Sequence, residues 1–294
     1  MKKPLILAVA AITLAAGAQA ETKFYGKMNV STSYDDFTES FELSSNASRL
    51  GVKGSEDLGS SKVIYQAEFQ HDVTDGSALS NRDTYIGLAY GEMGTIKMGK
   101  MDTPLKKSQG KFDLFNDVID LKNVLAGENR MDDSINYTTA KMGSVQASLT
   151  AALGEGVSDG YSASVVFEEG DIYAAVAFDT NLPGKETETI RATAIYTMGD
   201  MRFGALINTV DAADIAAVGD DELGFAVNAS MKMGKNTAKV QFESGDQNTS
   251  GATNIKAGVD HKLAKATKAF AYISQFDNDA SDVFGFSVGL EHKF

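Results

Sequence analysis

Phe225-Ala226-Val227-Asn228-Ala229-Ser230-Met231-Lys232-Met233-Gly234-Lys235-Asn236-Thr237-Ala238-Lys239-Val240-Gln241-Phe242-Glu243 is the stretch that decides how this chain is read. Two runs in it alternate with period two. Phe225, Val227, Ala229 and Met231 alternate with Ala226, Asn228 and Ser230, and Ala238, Val240 and Phe242 alternate with Lys239, Gln241 and Glu243. Successive side chains of a strand project to opposite faces, so each run carries one apolar and one polar face. Gly234-Lys235-Asn236 between them has the composition of a tight turn. The stretch reads as a β-hairpin.

The same pattern extends in both directions. Phe24, Gly26, Met28 and Val30 alternate with Lys23, Tyr25, Lys27 and Asn29. Val63, Tyr65, Ala67 and Phe69 alternate with Ile64, Gln66, Glu68 and Gln70, and Val145, Ala147, Leu149 and Ala151 with Gln146, Ser148 and Thr150. Short turn clusters such as Glu169-Gly170-Asp171 and Gly199-Asp200 are interspersed with longer polar stretches, Asp211 to Asp221 and Ser244 to Thr253. This is the punctuation of a meander of hairpins, with about sixteen candidate strands. Proline, which removes a ladder donor, occurs only 3 times, against 28 glycines. No helical period runs over a long window; Lys106 to Leu125 has room for a turn or two of helix. No linker divides the chain.

Lys2 and Lys3, the apolar run from Leu5 to Ala16 and the small-x-small triplet Ala18-Gln19-Ala20 have the form of a cleaved secretory signal. Residues 1–20 are therefore read as a signal peptide and 21–294 as one β-barrel domain. The apolar run is too short for a spanning helix, which needs ~20 residues. Removing 20 of the 294 residues leaves 274. Sixteen strands then leave ~17 residues for each strand with its connection, and a tilted membrane strand takes ~9–11.

A soluble sandwich would also alternate. Two features favour a membrane barrel. A polar face persists through the interior of nearly every strand, as lining water requires. Aromatic residues fall near strand ends: Phe24, Tyr25, Tyr34, Tyr90, Tyr137, Tyr196, Phe203, Phe270, Tyr272 and Phe276, the material of interfacial girdles, although tryptophan is absent. The fold expected is all-β, a transmembrane antiparallel up-and-down barrel closed on itself, because an open edge in lipid leaves backbone groups unpaired.

Without Lys2 and Lys3, the 27 basic residues fall to 25 against 40 acidic ones, and the net charge moves from −13 to −15. That balance argues against nucleic acid as a partner. It favours cations as permeant ions. The absence of cysteine excludes thiol catalysis and thiolate metal sites. His71, His261 and His292 are scattered without ligand spacing, and no nucleophile–base set stands out, so neither enzyme nor cofactor is expected. Asp132-Asp133 and Asp220-Asp221-Glu222 read as solvated loop charge.

Several segments in order resemble the general porins of Gram-negative bacteria, the trimeric sixteen-stranded type. Phe24-Tyr25-Gly26-Lys27 is similar to their opening strand. Ser48-Arg49-Leu50-Gly51-Val52-Lys53-Gly54-Ser55-Glu56-Asp57-Leu58-Gly59 is similar to the second strand and first tight turn. Asn81 to Leu88 resembles the fourth strand, Gly99 to Pro104 the entry to the third loop, and Asn129-Arg130 to Tyr137 the exit from it. Phe284, Phe286, Val288, Leu290 and Phe294 resemble the C-terminal signal read by the barrel-assembly machinery. Lys100 stands where the family commonly has arginine, and the chain is somewhat short, which implies trimmed loops.

The resemblance implies a passive, water-filled channel in the outer membrane for ions and small hydrophilic solutes, surrounded by outer-membrane lipid and assembled as a homotrimer. It also implies a third loop, about Asp102 to Asn129, folded into the lumen. Acids of that loop, Asp113, Asp117 and Asp120 with Glu128, would face a basic wall of Lys27, Arg49, Lys53, Arg82 and Arg130. Face parity puts Lys27, Arg49, Lys53 and Arg130 opposite apolar neighbours; Arg82 shares its face with Ile86, Leu88 and Tyr90 and is ambiguous. Arg191 and Arg202 are read as pairing partners that stiffen the wall. A substrate-specific channel on the same fold, for a sugar or an anion, and a surface-binding structural barrel are the alternatives.

Overall fold

The computed structural model describes residues 21–76, 78–154, 158–212 and 222–294. The expected export signal, residues 1–20, lies outside them, as do Asp220 and Asp221. The strand segments are β1 (Glu21–Asp35), β2 (Ser40–Ser45), β3 (Arg49–Asp57), β4 (Lys62–Gln70), β5 (Ser80–Ala89), β6 (Thr95–Asp102), β7 (Arg130–Thr138), β8 (Val145–Ala152), β9 (Gly160–Glu169), β10 (Ile172–Thr180), β11 (Thr187–Met198), β12 (Met201–Ala212), β13 (Glu222–Met233), β14 (Asn236–Gly245), β15 (Ala252–Ala264), β16 (Thr267–Asn278) and β17 (Ser281–Lys293).

β2 and β3 pair in succession along one edge of β1, through Ser40–Ser45 and then Arg49–Ser55, so they are two halves of one staggered strand. The interruption is Asn46-Ala47-Ser48, where Ala47 has φ 49° and the Ser48 hydroxyl bonds both the N–H and the C=O of Asn29. With that strand counted once, sixteen antiparallel strands follow one another, and β17 pairs with β1 to close the sheet. Strand number and connectivity match the expectation.

The quoted hairpin forms as read. Phe225↔Ser244 to Met233↔Asn236 are in register across β13 and β14, closed by Gly234-Lys235. Phe225 and Val227 lie on the outer face, about half exposed, whereas Ala226, Asn228, Lys239, Gln241 and Glu243 are buried. The whole molecule is inverted in this way: Arg191, Lys256, Gln241 and Glu243 are among the largest fully buried side chains, while Phe24 is 80% exposed. Only a low-dielectric surrounding makes that distribution stable, since an exposed apolar band of this extent in water would aggregate.

Residues 103–129 are the longest connection, between β6 and β7. The segment starts with helix α1 (Pro104–Ser108), capped where the Thr103 hydroxyl accepts from the Lys106 N–H at 3.1 Å. A 3₁₀ turn follows at Leu121–Asn123. Phe112, Leu121, Val124 and Leu125 of this segment pack on Ile195, Leu206, Ala226 and Ala252, and Phe115 packs on Phe270 and Tyr272. Gly224 is the empty space that accommodates Leu125: a Cβ there would meet Leu125 Cδ2 at 2.3 Å.

This packing corrects part of the aromatic reading. Phe270 and Tyr272 are buried beneath Phe115, and Tyr25 turns to Glu68, to which its hydroxyl donates at 2.9 Å. Period-two alternation gives a face, but a loop packed on the polar side recruits apolar residues there. Phe24, Tyr137, Tyr196 and Phe203 do lie on the outer face.

Candidate functional site

The polar face of β1 and β3–β5 carries a string of alternating charges. Arg82 Nε donates to Glu68 at 2.7 Å and Nη1 to Gln70 at 2.8 Å. Glu68 also stands 3.8 Å from Arg49, whose Nη1 is 3.8 Å from Asp117 of the long connection. Lys27 contacts the same Asp117 carboxylate. Arg130, at the start of β7, is held at 2.8 Å by Asp83 and at 2.8 Å by Asp102, which also pairs with Lys106 at 3.2 Å. Flanking carboxylates fix the guanidinium planes, and arginine stays charged throughout the physiological range.

Arg82 resolves its ambiguous parity through a bulge. β4 and β5 slip register between Ala67↔Thr84 and Phe69↔Asn81, so Arg82 and Asp83 together oppose Glu68. The bulge turns Arg82 to the polar face, while Ile86 stays outside.

Arg49, Gln70, Arg82, Asp102, Lys106, Asp117 and Arg130 from this string line a cavity of about 690 Å³. Its basic members are Arg49, Arg82 and Arg130 from strands with Lys106, Lys107 and Lys122 from the connection; its carboxylates are Asp102, Asp117, Asp120 and Glu128. Asp117 has φ 71°, a left-handed conformation that aspartate and asparagine tolerate better than most residues. The structure thus gathers Arg49, Arg82, Arg130, Asp117 and Asp120 about one space, with Lys27 joined to it through Asp117.

Lys53 and Asp113 are not brought to it. Lys53 sits 4.9 Å over the Tyr25 ring, opposite Lys23 and Gln66. Asp113 is turned inward, accepting from the N–H groups of Phe115 and Leu121 and from Gln241 Nε2, each at 3.1 Å. Burial pushes its carboxyl above the usual range. Glu128 is likewise raised by burial, opposed by Arg191.

Arg191 and Arg202 hold the connection to the wall. Arg191 is fully buried and donates to Glu128 at 2.8 Å, to the Ala126 carbonyl at 2.5 Å and to Asn208 at 3.1 Å. Arg202 Nη2 donates to the Lys111 carbonyl at 2.5 Å. Lys239, Lys256, Gln241, Gln247 and Asn228 bond the same segment, through Leu114, Ile119, Leu114 N–H, Ala126 N–H and Phe112 respectively. None of these five stood out in the sequence, although each falls on the polar side of its strand or in an adjoining loop. Glu68, Asp83 and Asp102 were missed too. Glu68 was the one carboxylate between Gln66 and Gln70 on its face, a usable signal.

A closed sheet of sixteen strands, apolar outside and charged within, defines a transmembrane channel protein of the β-barrel class. The sequence matches the Gram-negative porin family over residues 7–281, and the chain belongs to that family. It is similar to major outer membrane protein P.IB of Neisseria meningitidis serogroup B, with 26% identity covering 100% of both chains. With P.IA of N. meningitidis serogroup C, identity is 24%, covering 86% of this chain and 84% of the other. Among solved structures, the anion-selective porin from Comamonas acidovorans superimposes with TM-score 0.82 at 21% identity, covering 94% of this chain and 100% of that one. OmpF of Salmonella typhi, in complex with daunomycin, gives TM-score 0.78 at 14% identity over 93% and 97% of the two chains. The protein is an outer-membrane channel of a Gram-negative bacterium for passive diffusion of small hydrophilic solutes.

Proposed function

We propose that residues 103–129, folded into the barrel, narrow the channel to an eyelet, with Lys27, Arg49, Arg82 and Arg130 on one wall facing Asp117 and Asp120. The observation that carries this reading is the charged cavity, in which six basic side chains meet four carboxylates. The transverse field between the two rows orients dipolar solutes and disfavours apolar ones.

The same balance sets the ion preference. The overall acidity of the chain favours cations, but most of that charge is distant, and salt screens beyond ~8–10 Å. The eyelet has the opposite excess, so we assign it a preference for anions. Burial of Glu128 and its pairing with Arg191 weaken the acidic side further.

Three copies of the barrel form the working unit in this reading, residues 1–20 are removed on export, and the strand ending at Phe294 is what the assembly machinery binds. Planar-bilayer recording of the mature chain under a salt gradient tests the reading. It expects conductance steps in sets of three and a reversal potential of anionic sign. A reversal of cationic sign overturns the anion preference. A folded barrel without conductance overturns the eyelet and leaves a structural barrel.

A further inference from the structure

A second cluster of charge lies at the rim that carries the short turns, one strand along from Lys27. Lys235, Lys262, Lys265, Lys268 and Lys293 line a cavity of about 260 Å³, with Asp260 and Glu291 as its carboxylates. Five lysines in one hollow is a large share for a chain whose acidic residues outnumber its basic ones, 40 to 27.

The two carboxylates are already engaged. Asp260 holds both Lys239, at 3.2 Å, and Lys268, at 3.1 Å, and accepts from the Tyr272 hydroxyl at 2.5 Å. Glu291 holds Lys293 at 3.2 Å. Lys235, Lys262 and Lys265 have no ion-pair partner among the described residues.

The backbone, not a mobile loop, sets this arrangement. The Lys262 N–H donates to the Lys235 carbonyl at 2.8 Å, and the Lys293 N–H donates to the Ala266 carbonyl at 2.9 Å, which locks three neighbouring strand ends together. Lys262 and Lys268 are direct cross-strand partners, and so are Lys27 and Lys293. Like charges directly opposite are destabilising in a sheet. Carboxylates already relieve Lys268, Lys293 and Lys27, so it is Lys235, Lys262 and Lys265 that make the rim gain by taking up an anion. Thr237 and Thr267 add hydroxyls to the lining.

We infer that this hollow is a binding station for small multivalent oxyanions, of the phosphate or polycarboxylate class, at the short-turn mouth of the channel. Lys262, Lys268 and Lys293 share the polar face with Asp260 and Glu291, away from lipid, so the ligand comes from the aqueous channel rather than from a headgroup. The station collects such anions next to the pore and holds them by several lysines at once. It adjoins the eyelet wall through the Lys27–Lys293 pair but is built from other lysines, and its occupancy does not depend on the ion preference assigned at the eyelet.

Pyrophosphate binding, measured by calorimetry on the folded protein in neutral-lipid nanodiscs, tests the station. Wild type binds, and the triple variant Lys235→Gln, Lys262→Gln, Lys265→Gln binds about tenfold more weakly, while raising the salt from about 0.1 M to about 1 M, which shortens the screening length from ~10 Å to ~3 Å, abolishes the difference. The matching Lys→Arg triple variant keeps the affinity and shows that the glutamine variant was not merely misfolded. Arg130→Gln leaves the affinity within about twofold, since six strand spacings of ~4.8 Å separate β7 from β17, well beyond the screening length. If the glutamine triple variant binds as wild type, or if Arg130→Gln alone removes binding, the station does not exist and the eyelet is the anion site. Nanodiscs of anionic phospholipid leave the affinity unchanged; a fall there gives the hollow to lipid headgroups and overturns the assignment.

Discussion

Replacing Asp117 with asparagine isolates the charge of the eyelet from its shape. Asn fits the φ of 71° at this position, so the loop keeps its path. What is lost is the negative partner of Lys27 and of Arg49, and the lining becomes six cations against three carboxylates. A unit charge about 6 Å from a passing ion in water is worth ~0.7 kcal/mol, and screening at about 0.1 M salt reduces it to ~0.4 kcal/mol. The anion barrier falls and the cation barrier rises by that amount, so the anion-to-cation permeability ratio rises roughly three- to fourfold. Reversal potentials in a planar bilayer, wild type and variant side by side at the same gradient, measure the ratio directly. Arg49→Gln shifts it the opposite way. An Asp117→Asn channel with unchanged ratio, or one shifted toward cations, refutes the placement of this carboxylate at the narrowest point.

Three further perturbations probe how the connection is seated. Gly224→Ala forces a methyl group against Leu125 and costs about 1–3 kcal/mol, Leu125→Ala costs about 2–5, and the double variant costs less than their sum; thermal unfolding in detergent followed by circular dichroism gives the coupling, and strict additivity removes the contact. Arg191→Leu leaves Glu128 buried without its partner, at about 3–5 kcal/mol, and adding Glu128→Gln recovers part of that; open-channel current noise rises in the single variant and drops in the double one if the pair anchors the loop. Asp113 has its carboxyl raised by burial, so its neutral form is favoured in the folded state, and its contribution to stability is greatest below the unfolded value and is lost as pH rises through the folded one. Unfolding temperatures read from about pH 4 to pH 8 therefore decline, and Asp113→Asn flattens the decline; a slope unaffected by the substitution assigns it to other groups.

The barrel was legible because its rule is local. Alternation such as Phe225 to Met231 states a strand and its two faces without reference to anything distant. The wall arginines were legible for the same reason: Arg49 alternates with Leu50, and parity turns it inward. What failed was whatever depends on a second element. Phe270 and Tyr272 looked like girdle residues because nothing local shows that Phe115 covers them. Asp113 looked like a pore acid because its three hydrogen-bond partners, Phe115, Leu121 and Gln241, are gathered only by folding. Arg82 was ambiguous because a bulge shifts parity by one, and a bulge leaves no mark in alternation. Lys53 had the correct face but the wrong height along its strand, which parity does not encode.

The seam between β1 and β17 joins Ser33 to Ser287 by a hydrogen bond of 2.8 Å across 254 sequence positions. Every other strand pair is a neighbour in the chain, so formation of the sheet is a run of local hairpins until this last, very long-range step. Before it, two edges carry unsatisfied amide and carbonyl groups, which hydrocarbon does not tolerate. A partly assembled sheet therefore has no comfortable resting place inside the bilayer. The pairing that joins residues 254 positions apart is also the one that removes the last open edge from the sheet.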